Sequence, residues 1–200
     1  RESGVRDLER KLSSLIRKSM AYILKNKKEE ILIDEAMVEE LMGKRIFTFD
    51  KSKNEDKVGV VTGMAWTAYG GDTLPVETVT MPGNGKLQLT GQLGDVMQES
   101  AKTAYSYVRA NAKKFGIDED FYKKKDIHIH APEGAVPKDG PSAGVTMVTA
   151  LVSALTGKKV KGNVAMTGEV TLTGQVLPIG GLKEKSISAH RSGIRKIIIP

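Results

Sequence analysis

One serine of the chain stands where a sharp turn and a helix could make it a nucleophile. In residues 137–144, PKDGPSAG, Gly140 permits the turn and Pro141 presets φ, so Ser142 falls at the start of an apolar helix. Backbone N–H groups lack partners at such a helix start, and the positive end of the helix dipole would stabilise a developing oxyanion. A serine at this position is also a common helix N-cap. The spacing alone leaves both interpretations open.

A serine nucleophile requires a base, for which the chain offers histidines and a lysine. His128 and His130 alternate along a predicted strand, so they point to the same face shortly before Ser142. Lys185 falls in the first turns of a helix that begins after a pair of glycines. The helix dipole and burial would both lower its pKa toward neutrality. Lys183 faces another side of that helix, so at most one of the two lysines can reach Ser142.

Two other functions fit parts of the same sequence. The glycine-rich turn around Ser142 could instead bind a phosphate on its backbone N–H groups, as in small-molecule kinases. Residues 81–87, MPGNGKL, lack the first glycine and the Ser/Thr of a P-loop, and we expect a hairpin turn there. The net charge of +7 suits a basic nucleic-acid-binding module, although the lysine clusters are spread along the chain.

The composition is typical of a globular protein with one or two domains. The 200 residues are 40% hydrophobic and 28% charged, and no apolar run approaches the roughly 18 residues of a membrane-spanning helix. The absence of cysteine excludes disulfides, thiolate catalysis and cysteine-ligated zinc. We therefore expect no metal site, no membrane contact and a cytoplasmic location.

The first 49 residues predict a small helical unit. Residues 4–28 carry apolar side chains at three- and four-residue steps and predict one amphipathic helix. Residues 31–33 predict a short strand, and Asp34 can cap a second helix that ends near Gly43. Residues 50–57 contain no apolar side chain, so we predict a linker there.

From residue 58 onward the pattern changes to strands followed by strand–helix–strand units. The strands are predicted at 58–69, 73–80, 86–90, 126–131, 164–170, 171–177 and 195–199. The helices are predicted at 93–115, at 142–156 and from the paired glycines to about residue 191. This order predicts an α+β domain with a mixed sheet. Because the last strand is apolar and belongs inside a sheet, we expect the natural domain to continue past Pro200.

Several long runs together resemble the Lon proteases. The run from Asp126 to Gly144, DIHIHAPEGAVPKDGPSAG, resembles their catalytic-serine signature. The run from Met166 to Lys185, MTGEVTLTGQVLPIGGLKEK, resembles the segment that ends on the family's catalytic lysine. VGVVTGMAWT at 58–67 and GQLGDVMQES at 91–100 are similar to the opening of the protease domain, and RESGVRDLER at 1–10 is similar to the last helical subdomain of the ATPase module.

The resemblance covers essentially the whole chain and implies a fold and a site. The implied fold is α+β: a small helical AAA+ lid subdomain at 1–49, the linker, and a mixed-sheet Lon proteolytic domain at 58–200. The implied site is a Ser–Lys dyad in which Ser142 is the nucleophile and Lys185 the general base. The supporting residues that it implies are Ala143 as an oxyanion donor together with the Ser142 N–H, Thr167 beside the lysine amine, Asp139 as a switching residue, and Arg6 as a nucleotide sensor.

The resemblance also implies partners and cofactors. Lon proteases degrade misfolded and regulatory proteins as ring-shaped, ATP-dependent hexamers, so the expected partners are unfolded or tagged proteins and further copies of the chain. Non-specific DNA is a further expected partner. ATP and magnesium are implied for the full-length protein, whereas this chain lacks Walker A and Walker B motifs and is expected to need no cofactor of its own.

Overall fold

The structure, a computed structural model, describes residues 4–44, 55–133 and 136–200. The chain divides into two compact units, residues 1–49 and 50–200. Of the predicted linker, residues 50–54 lie outside the described residues. Within the described ranges, no helix has the length and apolar character that crossing a bilayer requires.

The first unit contains helices α1 (Arg6–Asn26) and α2 (Glu35–Met42). Asp34 caps α2 as predicted, because its Oδ1 accepts a 2.8 Å hydrogen bond from the N–H of Met37. The predicted strand at residues 31–33 is wrong: the segment is an irregular connection between the two helices. A run of three apolar residues cannot satisfy its backbone as a strand without a neighbouring strand to pair with.

The apolar stripe that predicted α1 is largely exposed. Side chains at four-residue steps, from Leu8 through Leu12, Ile16 and Met20 to Leu24, are each more than half exposed. Periodicity therefore predicted the helix correctly, while α2 covers little of its apolar face. The described residues of this unit thus bury little apolar surface.

The second unit is a mixed α/β structure. Its strands are β1 (Lys57–Val58), β2 (Val60–Thr67), β3 (Gly70–Pro82), β4 (Leu87–Thr90), β5 (Lys125–His130), β6 (Lys159–Val160), β7 (Val164–Met166), β8 (Glu169–Val170), β9 (Val176–Leu177) and β10 (Lys196–Ile198). Its helices are α3 (Asp95–Ala110), α4 (Ala112–Phe115), α5 (Phe121–Lys124), α6 (Gly144–Thr156) and α7 (Leu182–Arg191). Lys57, the last residue of the predicted linker, pairs with Val160 of β6.

The main sheet has the strand order β10-β7-β2-β3-β5-β4 and carries a helix layer on each face. Pairs β2/β3 and β3/β5 are antiparallel, whereas β10/β7, β2/β7 and β4/β5 are parallel. Val61 and Ile129 point to the face that α3 and α6 cover. Met64 and Ala165 point to the other face, where they pack against Ala189 of α7. The predicted α+β fold with a mixed sheet is confirmed.

The connection at residues 81–87 corrects a second prediction. We expected a hairpin, but β5 lies between β3 and β4, so the flanking strands do not pair with each other. Asp126 of β5 fixes this turn instead: its Oδ1 accepts hydrogen bonds from the N–H groups of Asn84, Gly85 and Lys86 at 2.9, 3.0 and 2.8 Å. The Asp126 carboxylate thus fixes the turn, whereas in a hairpin the pairing of the two flanking strands would fix it.

The predicted long strands at 164–170 and 171–177 are shorter in the structure. Strand β7 ends at Met166, and the chain leaves the sheet at Thr167 and Gly168. The Gly168 N–H donates to the carbonyl oxygen of Ser142 at 2.8 Å rather than to a neighbouring strand. The break therefore brings this segment against the turn that carries the candidate nucleophile.

Candidate active site

Ser142 lies in a 3₁₀ turn, Pro141–Ala143, immediately before α6. Gly140 precedes the turn with φ +114°, a conformation that only glycine adopts readily. The N–H of Gly144 closes the turn onto the carbonyl of Pro141. The leading N–H groups of such a turn, here those of Ser142 and Ala143, have no acceptor within the turn.

Lys185 reaches Ser142 from α7, on the other side of the candidate site. Its side chain is 3% exposed, and its Nζ lies 2.9 Å from Ser142 Oγ and 3.3 Å from Thr167 Oγ1. Lys183, two residues earlier, is exposed on the outer side of the helix. The helix register therefore brings one of the two lysines to the serine.

Burial lowers the pKa of the Lys185 ammonium from its ordinary value of 10.5. The cause is desolvation, which penalises the charged form of an amine. A lower pKa increases the fraction of neutral amine near neutral pH, and a neutral amine has a lone pair that can take the serine proton. The same 2.9 Å separation between Nζ and Oγ then serves for proton transfer.

Thr167 links the nucleophile and the lysine. Its Oγ1 donates to the carbonyl oxygen of Ser142 at 3.2 Å and accepts from Lys185 Nζ at 3.3 Å. The adjacent Gly168 also bonds to the Ser142 turn and the start of α6. Its N–H donates to the carbonyl of Ser142 at 2.8 Å, and its carbonyl accepts from the N–H of Val145 at 3.0 Å. The segment after β7 therefore fixes both the turn and the amine.

Asp139 hydrogen-bonds to the backbone of α3 and of its own loop. Its Oδ1 accepts from the N–H of Met97 at 2.9 Å and from the N–H of Gly140 at 2.8 Å. The carboxylate thus caps the first turn of α3 from a distant loop. Sequence reasoning missed this role because nothing local to residue 139 identifies the helix that it caps.

The histidines lie elsewhere. His128 Nε2 and His130 Nδ1 both bond to the hydroxyl of Thr90, at 2.8 and 2.7 Å, which agrees with their predicted common face. Among the described residues that line the cavity at Ser142, neither histidine occurs. We therefore assign the base to no histidine. No group of three or more metal-ligating side chains is found among the described residues.

An open cavity of about 670 Å³ surrounds Ser142 and Lys185. Its apolar lining includes Met64 and Trp66 of β2 together with Ile179 before α7. Carboxylates also line it: Asp72, Glu133, Asp139, Glu169 and Glu184. A groove of this size, apolar with polar groups around one hydroxyl, is suited to a peptide segment.

Arg6 lies in the first unit, in the first turn of α1. With Glu9, Arg10, Ser13 and Arg17 it lines a shallow depression of about 420 Å³ along that helix. The guanidinium groups could contact phosphate oxygens.

Comparison with known proteins identifies the family. The family model described as the Lon protease (S16) C-terminal proteolytic domain matches residues 32–200, and the model of the Lon protease AAA+ ATPase lid domain matches residues 1–32. The chain is 68% identical over 200 residues to the Lon protease of Clostridium acetobutylicum, 58% identical over 200 residues to Lon protease 1 of Bacillus subtilis, and 56% identical over 201 residues to the Lon protease of Escherichia coli. Each match covers 100% of this chain and 26% of the relative, so the chain spans about a quarter of their length. With its proteolytic-domain match extending over most of its residues, the chain belongs to the Lon protease family.

Proposed function

We propose that the second unit hydrolyses peptide bonds with Ser142 as nucleophile and Lys185 as general base. The observation that carries this proposal is the 2.9 Å contact between Ser142 Oγ and the Nζ of a lysine that is 3% exposed. The family membership supports it, because the relatives are named as proteases. Among the alternatives, a phosphate-binding turn would favour a charged ammonium beside it, whereas burial lowers the pKa of Lys185.

The proposed reaction proceeds through an acyl-enzyme. As Ser142 Oγ bonds to the substrate carbonyl carbon, its proton passes to Lys185 Nζ. The C–N bond then breaks, and the lysine gives that proton to the leaving amine. Water attacks the ester in the second half, with the same lysine accepting and returning a proton.

The proposed oxyanion site is formed by backbone N–H groups of the 3₁₀ turn. The N–H groups of Ser142 and Ala143 would donate to the carbonyl oxygen as it becomes negative. Thr167 would hold the amine in line with Ser142 Oγ, since it accepts from Nζ while anchoring the Ser142 carbonyl. The switching role of Asp139 stays a prediction, and the hydrogen bond that it accepts from the Met97 N–H supports a role in fixing the turn on α3.

For the longer protein we propose ATP-dependent degradation of unfolded or tagged proteins by a hexamer. The lid match at residues 1–32 supports a motor module joined to the peptidase, and Arg6 is our candidate for sensing its nucleotide. ATP would supply the energy for unfolding and magnesium would accompany it, held by residues of the longer protein. The lack of cysteine suits our proposed location, the bacterial cytoplasm. Non-specific DNA contact stays a prediction.

The experiment is cleavage of a short unstructured peptide, without ATP, followed by mass spectrometry. We expect Ser142→Ala and Lys185→Met to lose about 10³-fold or more in kcat, because each removes a group that makes or receives the transferred proton. Lys183→Met is the matched control on the same helix and should keep wild-type turnover. Equal cleavage by the wild type and Ser142→Ala would contradict the assignment of the nucleophile.

A further inference from the structure

Lys138 lies in the connection between β5 and the turn that carries Ser142 (residues 131–140), which we call the serine loop. The proposed mechanism gives this lysine no task. Its Nζ donates hydrogen bonds to three carbonyl oxygens, those of Glu133 at 2.8 Å, Val136 at 3.0 Å and Gly91 at 3.2 Å. An ammonium has three N–H donors, so this one is saturated by backbone acceptors. The side chain is half-buried and its ammonium is engaged by backbone carbonyls, unlike that of an ordinary surface lysine.

The three acceptors belong to two separate segments. Glu133 and Val136 lie in the serine loop itself, whereas Gly91 lies just after β4, at the start of the run GQLGDVMQES. Gly91 cannot be replaced without strain, because its φ is +109° and a Cβ there would lie 2.1 Å from the carbonyl oxygen of Ala131. The ammonium of Lys138 thus ties the loop to a segment whose backbone is itself tightly fixed.

Backbone hydrogen bonds also join the serine loop to the segment that begins at Gly91. The N–H of Lys138 donates to the carbonyl of Gln92 at 3.0 Å, and the N–H of Gly94 donates to the carbonyl of Lys138 at 2.7 Å. Asp139, the next residue, accepts from the N–H of Met97. A Cβ on Gly94 would lie 2.4 Å from the Asp139 carboxyl carbon, so the approach of the two segments requires glycine.

A further hydrogen bond from the same segment reaches Pro141, the residue before the nucleophile. Ser100 Oγ, on the next turn of α3, donates to the carbonyl of Pro141 at 3.2 Å. Residues 138, 139 and 141 are therefore each held by the segment from Gly91 to Ser100. Of these three residues, Lys138 is the one whose side chain also donates hydrogen bonds to the preceding part of the loop, at the carbonyls of Glu133 and Val136.

We infer that Lys138 is a positioning residue for Ser142. Its ammonium joins the serine loop, at Glu133 and Val136, to the segment of residues 91–100, at Gly91, and so fixes Ser142 Oγ at Lys185. This inference rests on the proposed peptidase function. Without the ammonium, three carbonyl oxygens lose their common donor and the loop gains alternative conformations. The fraction of molecules with Oγ in line with Nζ then falls, which lowers kcat more than it alters KM.

The test compares Lys138→Met with Lys138→Arg in the full chain. Methionine keeps the apolar stem and removes every donor, whereas arginine keeps the charge and several N–H donors. Lys102→Met, on the exposed side of α3, is the matched control. We expect Lys138→Met to lower kcat for a short peptide at least tenfold with KM within twofold, Lys138→Arg to recover part of kcat, and Lys102→Met to match the wild type.

Hydrogen exchange gives a second readout that does not depend on activity. We expect the amides of Gly94 and Met97 to lose protection in Lys138→Met and to keep it in Lys102→Met. Failure of the proposed peptidase function would appear as equal cleavage by wild type and Ser142→Ala, whatever the exchange result. If Lys138→Met does not fold, Lys138→Gln, which is uncharged and has two donors, takes its place with the same readouts. Unchanged kcat, or unchanged protection of both amides, would overturn the inference.

Discussion

Substitution of Thr167 by valine tests how the lysine is held. Valine has nearly the shape of threonine and no hydroxyl, so the change removes two hydrogen bonds with little change in volume. One is the 3.3 Å bond from Lys185 Nζ to Thr167 Oγ1, and the other is the 3.2 Å bond from Oγ1 to the carbonyl of Ser142. The Ser142 carbonyl keeps its 2.8 Å bond from the Gly168 N–H, so that acceptor is not left unpaired.

The size of the effect follows from which bond changes during the reaction. Lys185 becomes an ammonium as it takes the serine proton, and a bond from a charged donor contributes about 1.5–3 kcal/mol. At 3.3 Å the lower end applies, so the barrier should rise by about 1.5 kcal/mol, which is about tenfold in kcat. Because the hydroxyl accepts from the ammonium, its removal should also lower the pKa of Lys185 further and shift the pH profile of kcat toward lower pH.

The assay is kcat for a short peptide across pH, compared at the alkaline plateau where the lysine is neutral in every variant. Thr146→Val is the matched control: Thr146 is also fully buried, and its Oγ1 donates to a carbonyl, that of Met166, at 3.3 Å. The control should lose about 1 kcal/mol of stability and keep kcat. A plateau kcat for Thr167→Val within twofold of the control, or a profile displaced toward higher pH, would refute the reasoning.

Two further predictions concern the same lysine and the helix that carries it. Since burial lowers the folded-state pKa of Lys185, the unfolded state binds more protons between that pKa and 10.5, so stability should rise with pH across this window and activity should rise with it. In urea unfolding, Lys185→Met should lack that part of the pH dependence. A difference in unfolding free energy between wild type and Lys185→Met that does not change with pH would contradict the lowered pKa of Lys185. Gly71→Ala should destabilise the second unit by about 1–3 kcal/mol, because its Cβ would lie 2.0 Å from the carbonyl oxygen of Glu184 and 2.9 Å from the N of Lys185. In thermal melts Gly180→Ala, where a Cβ meets no atom within 4 Å, serves as the control, and equal midpoints for the two variants would exclude the clash.

Local chemistry predicted much of what surrounds the serine. Gly140 and Pro141 place Ser142 at a turn before an apolar helix, and the structure has that turn with Gly140 at φ +114°. The two-residue offset between Lys183 and Lys185 predicted that one of them could face the serine, and Lys185 is the buried one. These features depend on φ preferences and helix periodicity, which a short stretch of sequence contains.

Features that depend on distant partners were not predictable in the same way. The insertion of β5 between β3 and β4 makes the expected hairpin at 81–87 wrong, and the side chain that fixes this turn, Asp126, is far away in the chain. The hydrogen bond that Asp139 accepts from the N–H of Met97 also depends on a distant partner. A hydrogen-bond acceptor in a loop does not identify its donor until the sheet topology is known.

The burial of Lys185 determines both its pKa and its position at Ser142. Desolvation lowers the pKa of Lys185, so the burial that fixes Nζ at Ser142 Oγ also favours the neutral form of the amine. Close backbone packing maintains this burial: a Cβ added at Gly71 would lie 2.0 Å from the carbonyl oxygen of Glu184 in α7, and one added at Gly144 would lie 2.7 Å from the N of Val170. A rearrangement that admitted water to Nζ would therefore return the pKa toward 10.5 and remove the base, even if the distance to Oγ did not change. A water-accessible lysine at the same position would leave the hydroxyl of Ser142 beside a charged ammonium that cannot take its proton.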